Sequence, residues 1–116
     1  MTTLFDRARV RHDGYRDIDP EEVAAARTSV RMIDVREPHE FTGELGHVPG
    51  SELVPMREFP DVAEDWDKDA EVVFVCRSGN RSGRVAALLA SLGYSRMMNM
   101  VGGMIAYNRA HLPMER

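Results

Sequence analysis

The amino-acid sequence predicts an α/β fold, with a central parallel sheet of about five short strands and helices on both faces. Three observations carry that expectation. Val72-Val73-Phe74-Val75 is a short continuous apolar run, as a strand buried on both faces requires. A helix-period pattern follows from Ser82 to Leu92 and stops at Gly93, a residue suited to ending a helix. Strand-like and helix-like segments alternate along the chain, which implies right-handed crossovers between parallel neighbours.

Taken in order, Tyr15-Arg16-Asp17-Ile18 predicts a short first strand. Asp19-Pro20-Glu21-Glu22 predicts a helix start, with Asp19 as N-cap, proline at the first helical position and acids in the first turn; the helix runs to Arg27. Val30 to Val35 predicts the second strand and Pro38 to Phe41 a helical turn. Gly43, Gly46 and Pro49-Gly50 then mark a long loop. Leu53-Val54 is a small third strand, and Arg57 to Trp66 a helix broken near Pro60. After the fourth strand (Val72–Val75) and its helix, Arg96 to Met100 forms the fifth strand. Gly102-Gly103 leads into a last helix from Met104 to about Ala110. Residues 1–14 are read as a short, mobile lead-in and residues 15–116 as a single domain.

At 116 residues, 43% apolar and 29% charged, the chain can bury a core without staples. Cys76 is the only cysteine, so no intrachain disulfide forms. No apolar run is long enough to cross a bilayer. Arg7, Arg9 and Arg11 are not followed by an apolar signal core, so a cytoplasmic protein with no membrane partner is expected. A net charge of −4 without a long basic stripe argues against nucleic-acid binding. His12, His39, His47 and His111 show no ligand spacing with one another or with Cys76, so no metal and no cofactor are expected. Met97, Met98, Met100 and Met104 are read as core lining.

In open α/β sheets the ligand site lies beyond the carboxyl ends of the strands. Topology therefore brings Asp34-Val35-Arg36, Cys76 and Met100-Val101-Gly102 to one edge. A lone cysteine closing an apolar strand is ordinarily an inert core residue. Here the turn Arg77-Ser78-Gly79-Asn80-Arg81-Ser82 follows it and opens a helix. Loop N–H groups and the helix N-terminus favour anions, including the thiolate itself. The expected role of Cys76 is a nucleophile acting on an anionic substrate.

Four segments in order resemble the rhodanese-like sulfurtransferase family, in its single-domain form. They are Asp34-Val35-Arg36-Glu37-Pro38-His39-Glu40-Phe41 with Gly46-His47-Val48-Pro49-Gly50-Ser51, the loop Cys76 to Ser82, Asn99-Met100-Val101-Gly102-Gly103-Met104, and Leu112-Pro113. The likeness covers nearly everything from Ile18 onward and implies the three-layer rhodanese-like fold. Tyr107 stands where such domains often carry tryptophan, and only local repacking is expected from it. The resemblance also gives loop length a meaning. The six residues from Cys76 through Arg81 match sulfur transfer, whereas phosphatase relatives use one residue more to admit a tetrahedral anion.

The implied reaction has two halves: Cys76 takes the outer sulfur of a donor such as thiosulfate, then passes it to a nucleophile. That acceptor is cyanide in the test tube or a cellular thiol in vivo. With no second cysteine, the sulfur must leave to cyanide, a small thiol or another protein. Arg77 is the expected contact for the donor's sulfonate, and Arg81 is expected to turn outward and pair with an acid such as Asp34. Gly79 is expected at positive φ or close approach, with Ser78, Asn80 and Ser82 completing the anion-binding loop. Ser82 serves either as a donor to sulfur or as the helix N-cap. Asp34 is read as an acceptor for loop N–H groups or a partner for Arg36. Arg36 is read as an ion-pair member or an anion contact, His47 as a loop brace, and Met100 as an apolar pocket wall. The competing function is a persulfide carrier that takes sulfur from a protein donor such as a cysteine desulfurase. A phosphatase or arsenate reductase and a non-catalytic regulatory domain rank below it.

Overall fold

The computed structural model describes residues 2–11 and 13–116. The elements in chain order are α1 (Leu4–Arg7), β1 (Arg9–Val10), β2 (Arg16–Ile18), α2 (Pro20–Ala26), β3 (Arg31–Asp34), α3 (Pro38–Phe41) and β4 (Glu52–Leu53). Two 3-10 turns (Met56–Glu58 and Asp61–Ala63) follow, then β5 (Val72–Val75), α4 (Asn80–Ser91), β6 (Met97–Met100) and α5 (Gly103–Arg109). The strands form one six-stranded sheet in the order β1-β2-β6-β5-β3-β4. All neighbours are parallel except β1 and β2. The three-layer α/β arrangement is therefore as the sequence predicts, with one antiparallel strand added at an edge.

Strand alternation divides the core into two halves. Val73, Val75, Met98 and Met100 face one side with Ile18, Val23, Met104 and Tyr107. Val72, Phe74, Cys76 and Met97 face the other, against Val85, Ala86 and Leu89 of α4. The methionines of β6 thus line both halves of the core and are fully buried. Tyr107 fits where a larger ring was expected, buried with its hydroxyl donating to Pro113 O at 2.6 Å.

The segment read as a lead-in carries structure. A Thr3–Asp6 capping box starts α1, Leu4 and Ala8 are buried, and β1 extends the sheet with Arg9 opposite Asp17. These pieces are too short to show a periodicity of their own, although α1 is also tied to a distant residue: Phe5 N donates to Glu71 Oε2 at 2.9 Å. Arg9 also takes both oxygens of Asp19, so Asp19 sits at the N-cap position of α2 without its side chain capping it.

A second correction concerns Arg57 to Trp66: the break expected near Pro60 is there, but two short 3-10 turns flank it in place of helix. Proline disfavours helical dihedrals in the residue before it, and Phe59 is extended at φ −92°, ψ 147°. The helix after Cys76 begins at Asn80, two residues earlier than predicted, because Gly79 (φ +101°) turns the chain into it. Ser82 is therefore inside α4 and does not cap it.

Candidate active site

Cys76 directly follows the central strand β5 and is only 1% exposed. Gly79 N–H donates to its Sγ at 3.1 Å, and Ser82 Oγ lies 3.2 Å from the same sulfur. The Gly79 contact closes a four-residue turn that only a residue tolerating positive φ completes without strain. Hydrogen bonds to sulfur from an N–H at the start of a helix favour negative charge there.

The loop is held open from behind. Cys76 O accepts from Met104 N at 2.9 Å and Arg77 O from Ile105 N at 3.1 Å, so the first turn of α5 binds both carbonyls. A Cβ at Gly103 would collide with those carbonyl groups, which explains a glycine at that point. With its carbonyls engaged by α5, the loop has Gly79 N–H directed at the sulfur.

Beyond Ser82 lies Asn99 of β6. Ser82 Oγ lies 2.6 Å from Asn99 Oδ1, and Asn99 Nδ2 reaches toward Asp17 Oδ1 at 3.4 Å. Period-two alternation places Asn99 with Met97 on the α4 side of the sheet, the side that also holds Cys76.

Two arginines flagged in the sequence are engaged in ion pairs. Arg36, 1% exposed, donates through Nε and Nη2 to both oxygens of Asp34 and through Nη2 to Gly46 O at 2.7 Å. Asp34 Oδ1 also accepts from the Arg36 backbone N–H. Arg81 turns outward as expected, but its partner is Glu40, both of whose oxygens it binds at 2.8 Å; Asp34 is already taken by Arg36. Glu40 in addition receives the Glu37 N–H, closing the capping box of α3. The Arg81 hydrogen bonds, with that N–H, hold the Glu40 carboxyl down at about 2.

Arg77 is exposed and forms no ion pair among the described residues. It lines a cleft of about 300 Å³ together with Arg36, His39, Glu40, Gly43, Glu44 and Leu45. Ser78, Gly79 and Asn80 line a second cleft of about 450 Å³ on the flank of the loop, with Tyr15, Asp17, Arg84 and Asn99 among its walls. Met100, expected as a pocket wall, lines neither cleft. Alternation sends its side chain to the opposite half of the core, with Met98 and Met104. His47 braces its loop as expected, with Nδ1 at 2.8 Å from Phe41 O and its ring stacked on Phe41.

Sequence reasoning missed Glu40 and Asn99. Glu40 is one of many acids, and nothing local marks it as the partner of a residue on another helix. Asn99 carried a usable signal: it is the one polar residue in the buried Met97–Met100 strand, and buried amides need partners. Among the described residues, no buried side-chain nitrogen or oxygen lacks a hydrogen bond, no cluster could hold a metal, and no helix is long and apolar enough to cross a membrane.

Residues 19–110 match the model of the rhodanese-like domain family. A sulfurtransferase of Allochromatium vinosum is 37% identical over 100 residues, covering 84% of this chain and 92% of that protein. The thiosulfate sulfurtransferase GlpE of Pseudomonas aeruginosa is 33% identical over 92 residues, covering 78% and 82%. Among solved structures, a rhodanese-like domain protein of Staphylococcus aureus superimposes with a TM-score of 0.70 at 28% identity, covering 86% of this chain and 98% of that one.

Proposed function

Because the chain belongs to the rhodanese-like sulfurtransferase family, we propose that it moves a sulfane sulfur from thiosulfate to a thiophilic acceptor through a persulfide on Cys76. The observation that supports this most directly is the pair of polar groups at the sulfur, Gly79 N–H and the Ser82 hydroxyl, at the junction of β5 and α4.

In the first half-reaction the Cys76 thiolate attacks the outer sulfur of thiosulfate. A Cys76 S–S bond forms, the sulfur–sulfur bond of thiosulfate breaks, and its electron pair leaves on sulfite. The negative charge now rests on the outer persulfide sulfur. In the second half, cyanide or a thiolate attacks that outer sulfur. The S–S bond breaks and its electrons return to Cys76, giving thiocyanate or an acceptor persulfide.

The chain's own groups act on charge and position. Gly79 N–H and the N-terminus of α4 stabilise the thiolate. Arg77, exposed and without an ion pair among the described residues, binds the sulfonate oxygens of the donor, and sulfite as it departs. Arg36 and Asp34 brace the loop that leads into α3, and Arg81 and Glu40 tie α3 to α4. Ser78 and Asn80 complete the polar rim, with Ser82 buried against the sulfur.

Incubation with thiosulfate followed by intact-mass measurement tests this reading, with cyanide then added and thiocyanate followed. Expected are a gain of one sulfur and turnover, both abolished in Cys76→Ser. Loading without turnover favours a carrier whose partner is another protein. No loading removes thiosulfate as donor.

A further inference from the structure

Asn99 is 7% exposed, and its neighbours orient its amide. Asp17 Oδ1 can only accept, so the group facing it at 3.4 Å is Nδ2, and Oδ1 faces Ser82 Oγ at 2.6 Å. Asp17 is itself held by Arg11, with Nη1 at 3.2 Å from its Oδ2. Ser82 Oγ also lies 3.2 Å from Cys76 Sγ. A hydroxyl has one proton and cannot donate to both. An amide oxygen is the better acceptor beside a neutral sulfur, and a charged sulfur is the better acceptor beside an amide.

We propose that Asn99 is a positioning residue for Cys76, acting through Ser82: it holds the Ser82 proton while the sulfur is uncharged and yields it when charge arrives on the sulfur. In the first state Ser82 Oγ turns a lone pair toward Sγ and accepts from the S–H. In the second the hydroxyl rotates about its C–O bond and donates to the thiolate. When the persulfide forms, the charge moves to the outer sulfur and the Ser82 hydroxyl turns to donate to Asn99 Oδ1 again. When the outer sulfur departs, the hydroxyl turns back. Asn99 thus makes the support given by Ser82 conditional on the charge of the sulfur.

The inference rests on Cys76 being the nucleophile. The charged and titratable groups on the elements around it are Arg77 on the loop, Arg81 and Arg84 on α4, Asp34 and Arg36 at and beyond the end of β3, Glu40 on α3, Asp17 on β2, and Arg11, Asp13 and Tyr15 before it. Replacing Asn99 by an apolar residue removes none of these charges, so a change in thiol reactivity is not an effect of altered net charge.

The test is alkylation of Cys76 by iodoacetamide against pH in the intact chain, in Asn99→Leu, Ser82→Ala and the double variant. Freed from Asn99, the Ser82 proton serves the thiolate alone. On the acid side of the parent's pH profile, alkylation of Asn99→Leu should therefore rise roughly three- to tenfold, with the profile moved to lower pH. Asn99→Ala, which deletes the acceptor without adding bulk, gives the same direction. In the Ser82→Ala background the Asn99 substitution has no further effect. An equal change with and without Ser82 assigns Asn99 a purely structural role and overturns the proposal, as does unchanged or slower alkylation in the Asn99 variants. Because the assay needs no donor, its failure is separate from that of the function. A chain that alkylates at Cys76 yet never loads sulfur from thiosulfate sinks the donor and leaves the Asn99 result standing.

Discussion

Arg81 and Glu40 meet in a two-point ion pair, Nη1 on Oε1 and Nη2 on Oε2, both at 2.8 Å, joining the first turn of α4 to α3. The pair engages one of the two loop arginines and leaves Arg77, which forms no ion pair among the described residues, open to an anionic donor.

Acid titration reads this pair out. Glu40 is depressed from 4.5 to about 2 by the Arg81 hydrogen bonds, so its stabilising contribution is complete above about 4.5 and is lost as the pH falls through about 2. The pair is partly exposed, and its worth is about 1 kcal/mol or less. Thermal unfolding of the parent and Glu40→Gln should differ most near pH 5 and converge toward pH 2. A difference that stays constant across that range contradicts the assignment.

Arg36 and Asp34 form the buried counterpart. Removing one partner leaves the other charged and unpaired, which costs about 3–5 kcal/mol. Urea unfolding should show that loss in Asp34→Asn and in Arg36→Met, and a smaller loss in the Asp34→Leu/Arg36→Met double variant than the singles sum to.

Gly103 and Gly93 separate strain from collision. Both have positive φ, but nothing lies within 4 Å of a Cβ at Gly93, whereas one at Gly103 strikes the Cys76 and Arg77 carbonyl groups. Gly93→Ala should cost about 1 kcal/mol and leave sulfur loading intact. Gly103→Ala should cost about 2–3 kcal/mol and also slow loading, because the loop carbonyls must shift.

Arg77 is free of ion pairs among the described residues and exposed, so Arg77→Ala should leave the thermal midpoint within about 1 °C of the parent. Its kcat/KM for thiosulfate should fall by about tenfold or more, chiefly through KM, with a weaker salt dependence. Unchanged kinetics would move the sulfonate contact elsewhere.

The sheet and the position of the thiol were legible because both depend on local pattern. Val72–Val75 is apolar throughout, and Gly79 and Gly93 bracket a helical period. What escaped depends on distance. Arg81 was expected to turn to an acid, but choosing Glu40 over Asp34 requires knowing that Arg36 already occupies both Asp34 oxygens. Met100 was misplaced because its face follows from strand register, which fixes Met98 and Met100 on one side and Asn99 on the other. The start of α1 and β1 escaped for the opposite reason: four and two residues are too few to display a period.

The hold of α5 on the Cys76 loop also sets an order in time. A ribosome makes β5 and α4 well before residues 103–105, whose glycine and N–H groups pin the carbonyls behind the thiol. Without residues 103–105 the Cys76 loop lacks the N–H groups that engage its carbonyls. The setting of the thiol is therefore completed by residues that follow it in the chain, and the loop takes its final form only when α5 docks behind it.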